Sequence, residues 1–352
     1  MSGLTLAERF YRQVVGPRLG DHPHAAALIG DGSEVLGYDD DVSRDHDFGP
    51  RVQIFMPDQA DVATAGSLLD DLPAEFDGFL VSVAHDGVLH HQVEITTASA
   101  FFTARLSVDP IDGMSAADWL LTPTQILASL TAGAVFHDPR GALAPRRDAL
   151  RWYPDDVWRY VLAAAWLRVE QEQAFVGRAG GSGDDLGSRV VAARLARELV
   201  RLTFLIERRW APYSKWLGRA FGDLPLATSL RGHLTTAMAT NDWREREAAL
   251  CEAAAILGTA TNDLGLSEPV EPAPRRFHTR DIRVSGAAEF TTALTEAITD
   301  VEIRTILTRL GYRRGTKLGL FPGAVDQAVD STDVLSHPDR CRATATALGL
   351  HG

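Results

Sequence analysis

IGDGSEVLGYDDDVSRDHDF, Ile29 to Phe48, carries five aspartates between Asp39 and Asp47, with Arg44 the one basic residue among them. Carboxylates this close repel unless a cation compensates them. Eleven residues separate Gly32-Ser33 from Asp45-His46-Asp47. A Gly-Ser pair that follows a buried strand leaves backbone N–H groups free at a turn, which suits them to phosphate oxygens. The strand here is AAALIG, Ala25–Gly30. Two aspartates at i and i+2 project to one side of an extended chain, where they can bridge hard divalent cations such as Mg²⁺. Asp39, Asp40 and Asp41 read as solvated turn residues, and His46, between the two ligand candidates, should point away from them. A calcium loop fails, because Arg44 or His46 falls where its glycine belongs.

Outward from that stretch, RVQIFM (Arg51–Met56) reads as a second strand and DQADVATAGSLLDDL as a helix. GFLVSVAHDG and VLHHQVEITT read as a hairpin turning at Asp86-Gly87. Glu94 lies in the second of these, with Val93 and Ile95 facing the other way. Beside the Asp45–Asp47 strand it would complete a three-acid cluster. Such a cluster holds two metals and accepts the proton of an incoming hydroxyl. Phe48-Gly49-Pro50-Arg51 delays the next strand, since proline cannot donate to a ladder. The strand must bulge or start late, and Arg51 comes close enough to pair with a carboxylate or phosphate.

From about residue 116 the pattern turns helical. Thr122-Pro123 opens TQILASLTAGAVF, Pro154-Asp155-Asp156 opens VWRYVLAAAWLRVEQEQAF, and GRAGGSGDDLGSR separates two long helices. That glycine-rich break lacks the Gly-Lys-Ser/Thr ending of a Walker loop. LSEPVEPAPRR reads as a proline-rich linker. The expected class is α+β, with a small mixed-sheet head over residues 1–115, a helical bundle over 116–270, and an extension over 271–352 packed on the bundle or cleft. Lys215 in YSKW is flanked by aromatics and reads either as a phosphate contact or as a cation stacked on Trp216 or Tyr213.

The chain has 352 residues and a formal net charge of −12, which excludes the basic face of a duplex nucleic-acid binder. Cys251 and Cys341 form neither a zinc spacing nor a disulfide framework. His90-His91, adjacent on a strand, face opposite sides and do not make a zinc site. No apolar run reaches spanning length and no leader pattern opens the sequence, so a cytoplasmic location is expected.

The order Gly-Ser, spacer, Asp-x-Asp, helix, then a hydrophobic–acid–hydrophobic strand resembles the polymerase-β-like nucleotidyltransferase superfamily. GYDDDVSRDHDFGPR, WLLTPTQILASLTAGAVFHDP, WYPDDVWRY, RRWAPYSKWLGRAF and GAVDQAVDSTDVLSHP are similar to a bacterial domain-of-unknown-function family attached to it. The resemblance implies that Gly32 and Ser33 hold a triphosphate and that Asp45, Asp47 and Glu94 bind two Mg²⁺ ions. It places a helical bundle beside the head, as in antibiotic nucleotidyltransferases. The expected reaction moves a nucleoside monophosphate, AMP from ATP, to a hydroxyl of a small-molecule acceptor, releasing pyrophosphate, with Arg51 and Lys215 on the phosphates. The alternatives are a protein-modifying nucleotidyltransferase, an AMPylator, and a non-catalytic nucleotide-binding protein. Neither the acceptor nor the oligomeric state is legible.

Overall fold

The computed structural model describes residues 2–40, 49–85, 88–312 and 321–350. The chain divides into two compact units, residues 1–114 with 124–151, and residues 115–123 with 152–352. The class is α+β, as the pattern predicts.

In the first unit α1 (Gly3–Phe10) begins where the Ser2 side chain accepts from Thr5 N and Asp39 Oδ2 accepts from Gly3 N at 2.8 Å. Asp39 is therefore a helix-capping residue. Leu6, Ala7 and Phe10 form the buried stripe of α1, which runs through a π-turn at Tyr11–Val15 into α2 (Gly16–Leu19). Then follow β1 (Ala25–Leu28), β2 (Val52–Met56), α3 (Gln59–Leu68), β3 (Glu75–Phe76), β4 (Phe79–Leu80), β5 (Ser82–His85), β6 (Val88–His91), β7 (Val93–Thr97) and α4 (Ala98–Leu106). The short α5 (Ala116–Leu120) belongs to the second unit. The chain then returns to the first with α6 (Thr124–Thr131), β8 (Ala134–His137) and α7 (Ala144–Ala149).

The main sheet runs β7-β2-β1-β8, with β2 parallel to β7 and the other pairs antiparallel. Its central strand is small and apolar, and all four of its residues are buried. Ala26, Val52, Ile54, Val93 and Ile95 turn to one face and pack with Phe10, Val14 and Val15 of the N-terminal helices. Phe55 turns to the other, edge-on to Phe101 of α4 at 5.2 Å. Gln53 and Glu94 share that second face, since they are register partners on the parallel pair.

Two sequence readings change here. TQILASLTAGAVF is not one helix: α6 stops at Thr131, Gly133 takes φ +71, its N–H donates to Val35 O at 2.9 Å, and β8 follows. A Cβ at Gly133 would collide with Leu28 O, so only glycine lets the chain approach β1 this closely. VLHHQVEITT is not one strand either. β5 and β6 form the expected hairpin, with Asp86-Gly87 outside the described residues. Gln92 then switches sheets: its N–H donates to Val81 O at 3.1 Å, and its carbonyl accepts from Val52 N at 3.2 Å. The delayed strand does start late, at Val52.

The second unit holds α8 (Asp155–Gly181), α9 (Asp185–Ile206), α10 (Ser214–Gly222), α11 (Ala227–Ala239) and α12 (Trp243–Asp263). The short β9 (Arg275–Arg276) and β10 (Arg283–Val284) pair antiparallel; α13 (Ala287–Glu296), α14 (Val301–Arg309), α15 (Val325–Ala328), α16 (Thr332–Leu335) and α17 (Pro338–Ala343) complete it. α8, α9 and α12 pack on one another around the fully buried Trp158 and Trp166. The indole N–H of Trp158 donates to Leu205 O at 2.9 Å, so burying the ring strands no donor. Arg246, with no exposed surface, donates to Ser188 Oγ at 2.6 Å and Asp185 Oδ1 at 2.9 Å, tying α12 to the start of α9. The proline-rich segment is not a free linker: the Asn262 amide bonds both Val270 N and Val270 O and lays the segment on α12. Among the described residues no helix is long and apolar enough to cross a membrane.

Candidate functional site

Where β1 ends, the chain turns through Gly30 (φ +90) and Gly32 (φ +139) into a turn closed by Gly37 N to Glu34 O and Tyr38 N to Ser33 O. The left-handed values demand glycine at both positions. At Gly32 a Cβ would also strike the side chains of Arg51 and Glu34. Among the described residues, the N–H groups of Gly32 and Glu34 donate to no protein acceptor. Among the described residues the turn therefore holds two N–H groups without a protein acceptor, as a phosphate cradle would require.

Two side chains hold it. Arg51 Nη2 pairs with Glu34 Oε1 and donates to Asp31 O at 2.8 Å, binding the approach to β2 to the turn. Gln53 acts as a peptide substitute: its Oε1 accepts from Ile29 N and its Nε2 donates to Ile29 O, each at 3.0 Å. Sequence reading missed Gln53 and Glu34.

Glu94 stands beside Gln53 on β7 with its side chain 44% exposed, so it can meet a ligand without moving. Its Oε2 lies 3.7 Å from Arg105 Nη2. The Arg105 guanidinium rests over the Phe101 ring, 3.6 Å from its centroid, and faces Gly30, where a Cβ would touch it at 3.6 Å. Arg105 is thus a further cation at this edge. Its only sequence signal is helical spacing from Phe101, too weak to single it out. Asp45 and Asp47 lie outside the described residues, as do Asp41 and His46. Among the described residues no three His, Cys, Asp or Glu side chains gather as a metal site. Lys215 belongs to the second unit, where its Nζ lies over the Trp216 ring at 4.8 Å.

A second cluster of titratable groups lies in the first unit. His24 Nδ1 donates to His22 O at 2.7 Å, which leaves Nε2 to accept from Tyr11 Oη at 2.9 Å. The His137 ring stacks obliquely 4.8 Å away. Burial lowers the His24 pKa, outweighing the hydrogen bond to His22, and raises that of Tyr11.

A family described as "Domain of unknown function (DUF4037)" matches residues 119–217, from α5 into α10. No curated protein matches the chain. A solved structure of a nucleotidyltransferase-like protein from Exiguobacterium sibiricum 255-15 aligns over 85% of this chain and 92% of that one, at 11% identity and a TM-score of 0.34. A likeness that low carries no assignment.

Proposed function

We propose that this chain is a metal-dependent nucleotidyltransferase that moves AMP from ATP to a hydroxyl of a small-molecule acceptor and releases pyrophosphate, in the cytoplasm. One observation carries the reading: a double-glycine turn with unused N–H donors adjoins, on the same sheet, a strand bearing a half-exposed carboxylate. Gly32, Ser33 and Glu34 would receive phosphate oxygens at the turn. Asp45 and Asp47 precede β2 by a few residues, and β2 is the parallel neighbour of the strand that carries Glu94. Carboxylate oxygens suit Mg²⁺, so Asp45, Asp47 and Glu94 are the residues that would hold two such ions. When bound, those ions would neutralise charge on the phosphates.

The chain's own contribution to the chemistry follows from the same residues. Glu94 takes the proton of the acceptor hydroxyl as its oxygen attacks the α-phosphorus, and the bond to the pyrophosphate oxygen breaks. Arg51 keeps the turn in shape through Glu34 and Asp31. A second reading, a non-catalytic nucleotide binder, is favoured by one contact: Arg105 already stands 3.7 Å from the Glu94 carboxylate.

A screen for Mg²⁺-dependent pyrophosphate release across the four nucleoside triphosphates and a metabolite panel decides between them. Turnover that disappears in Glu94→Gln and in Asp45→Asn is expected. Binding of Mg²⁺–ATP without turnover on any acceptor would favour the second reading, and absence of binding would remove both.

A further inference from the structure

In the second unit, α8, α13, the β9–β10 hairpin and the segment after α12 line an open cavity of about 1050 Å³, at the upper end of the range for small-molecule sites. Ala288 and Ala293 of α13, with Ala297 just after it, give the cavity an apolar floor beside Thr292 and Glu296. Phe277 lies on the wall, at the hairpin tip, and His278 beside it takes a left-handed φ of 54. Neither ring is locked into the core, because Phe277 is half-buried and His278 exposed.

The charges around this space do not cancel. Glu289 is met by Arg275, whose Nη2 donates to Glu289 Oε1 at 2.6 Å. Glu170 of α8 makes no such ion pair among the described residues, although Arg275 and His278 lie near enough to act on it electrostatically. It is held in place all the same. Gln173 Nε2 donates to Glu170 Oε2 at 2.5 Å, and the Gln173 carbonyl is fixed by Ser285 N and Ser285 Oγ, each at 2.8 Å. One carboxylate oxygen is thus anchored through a hydrogen-bonded chain to the hairpin, and Glu170 is among the residues that line the cavity. Burial raises the pKa of Glu170, outweighing the Gln173 hydrogen bond and the opposing influence of Arg275 and His278, and a bound cation would favour its ionised form.

We infer that this cavity binds a small organic ammonium ion with a flat apolar body, the ammonium donating to Glu170 and the body lying between Phe277 and the alanine floor of α13. The charge-assisted bond would supply orientation and the apolar contact most of the buried area. This site stands apart from the transferase reading and does not depend on it.

Phenethylamine is the probe and 2-phenylethanol its neutral counterpart of equal size, both titrated into the full-length chain by calorimetry. Phenethylamine should bind at least tenfold more tightly. Glu170→Gln, which keeps an acceptor for Gln173, should erase that difference while leaving the melting temperature near its original value. Ala293→Phe should crowd the floor and weaken binding of both probes alike. If Ala293→Phe unfolds the chain, the Glu170→Gln comparison decides alone. Lack of phenethylamine binding, equal affinity for the two probes, or an unchanged preference in Glu170→Gln overturns the inference.

Discussion

Gly32 sits at φ +139 with Arg51 and Glu34 where a side chain would go. Gly32→Ala should destabilise the first unit by about 1–3 kcal/mol, the range for an alanine forced into such a conformation, and should weaken ATP binding as the cradle distorts. Differential scanning calorimetry checks the first effect; an unchanged melt would mean that the turn is not shaped as described. His24 supplies a pH dependence. Burial lowers its pKa from the ordinary 6.5, so the unfolded chain takes up the proton first. The stability His24 contributes is therefore complete above about pH 6.5 and declines as pH falls from there toward the lowered folded value. Melting temperature should fall between pH 7.5 and 5.5, and His24→Gln should flatten that fall. Equal slopes in the two proteins would remove His24 as its source.

At the scale of elements, the paired strands β2 and β7 carry two neighbouring side chains, Gln53 and Glu94, with contrasting expected effects. Gln53→Leu strips partners from both backbone groups of Ile29 and should destabilise by about 1–3 kcal/mol, the range for a stranded buried polar group. Glu94→Gln, at a half-exposed position 3.7 Å from Arg105, should change stability by less than about 1 kcal/mol while removing turnover. Chemical denaturation of both variants tests the contrast, which comparable losses would sink. The same elements show what a sequence reader can reach. The hairpin was legible because β-branched runs flank a turn pair, and the turn at Gly32-Ser33 because glycine beside serine follows a short apolar strand there. β8 was not, since AVFH continues an apolar helical period; Gly133, the residue that ends the helix, reveals its role only through its approach to Leu28. Gln53 and Arg105 were hidden for another reason. A lone polar residue in a strand or helix acquires meaning only once register sets it against Ile29 or Glu94. Asp45 and Asp47, the core of the motif, fall outside the described residues.

For the whole molecule, the decisive fact is that neither unit is one continuous length of chain. Residues 124–151 return to the first unit after α5 has entered the second. A fragment ending at residue 115 would lack α6 and β8 and leave β1 with an open edge, an invitation to strand pairing between copies. A fragment ending at 151 contains every strand of the main sheet. The longer fragment should melt cooperatively by circular dichroism and the shorter should not. A cooperative melt of the 1–115 fragment would show that β8 is dispensable.

That interleaving also sets a timetable for birth on the ribosome. α5 leaves the exit tunnel early, yet the carboxylate that accepts from its Ala116 N–H is Glu302, 186 residues later, and the guanidinium that pairs with Asp118 is Arg342, 224 residues later. At about 5–20 residues per second, translation takes roughly 10–40 s to deliver Glu302. Through that interval Trp119 and Leu120, buried in the finished protein, wait without their final cover while the head beside them in sequence is already closing its sheet. A nascent chain of this design leaves an aromatic segment without its final partners for most of its synthesis, the kind of exposed apolar surface on which unassisted folding goes astray.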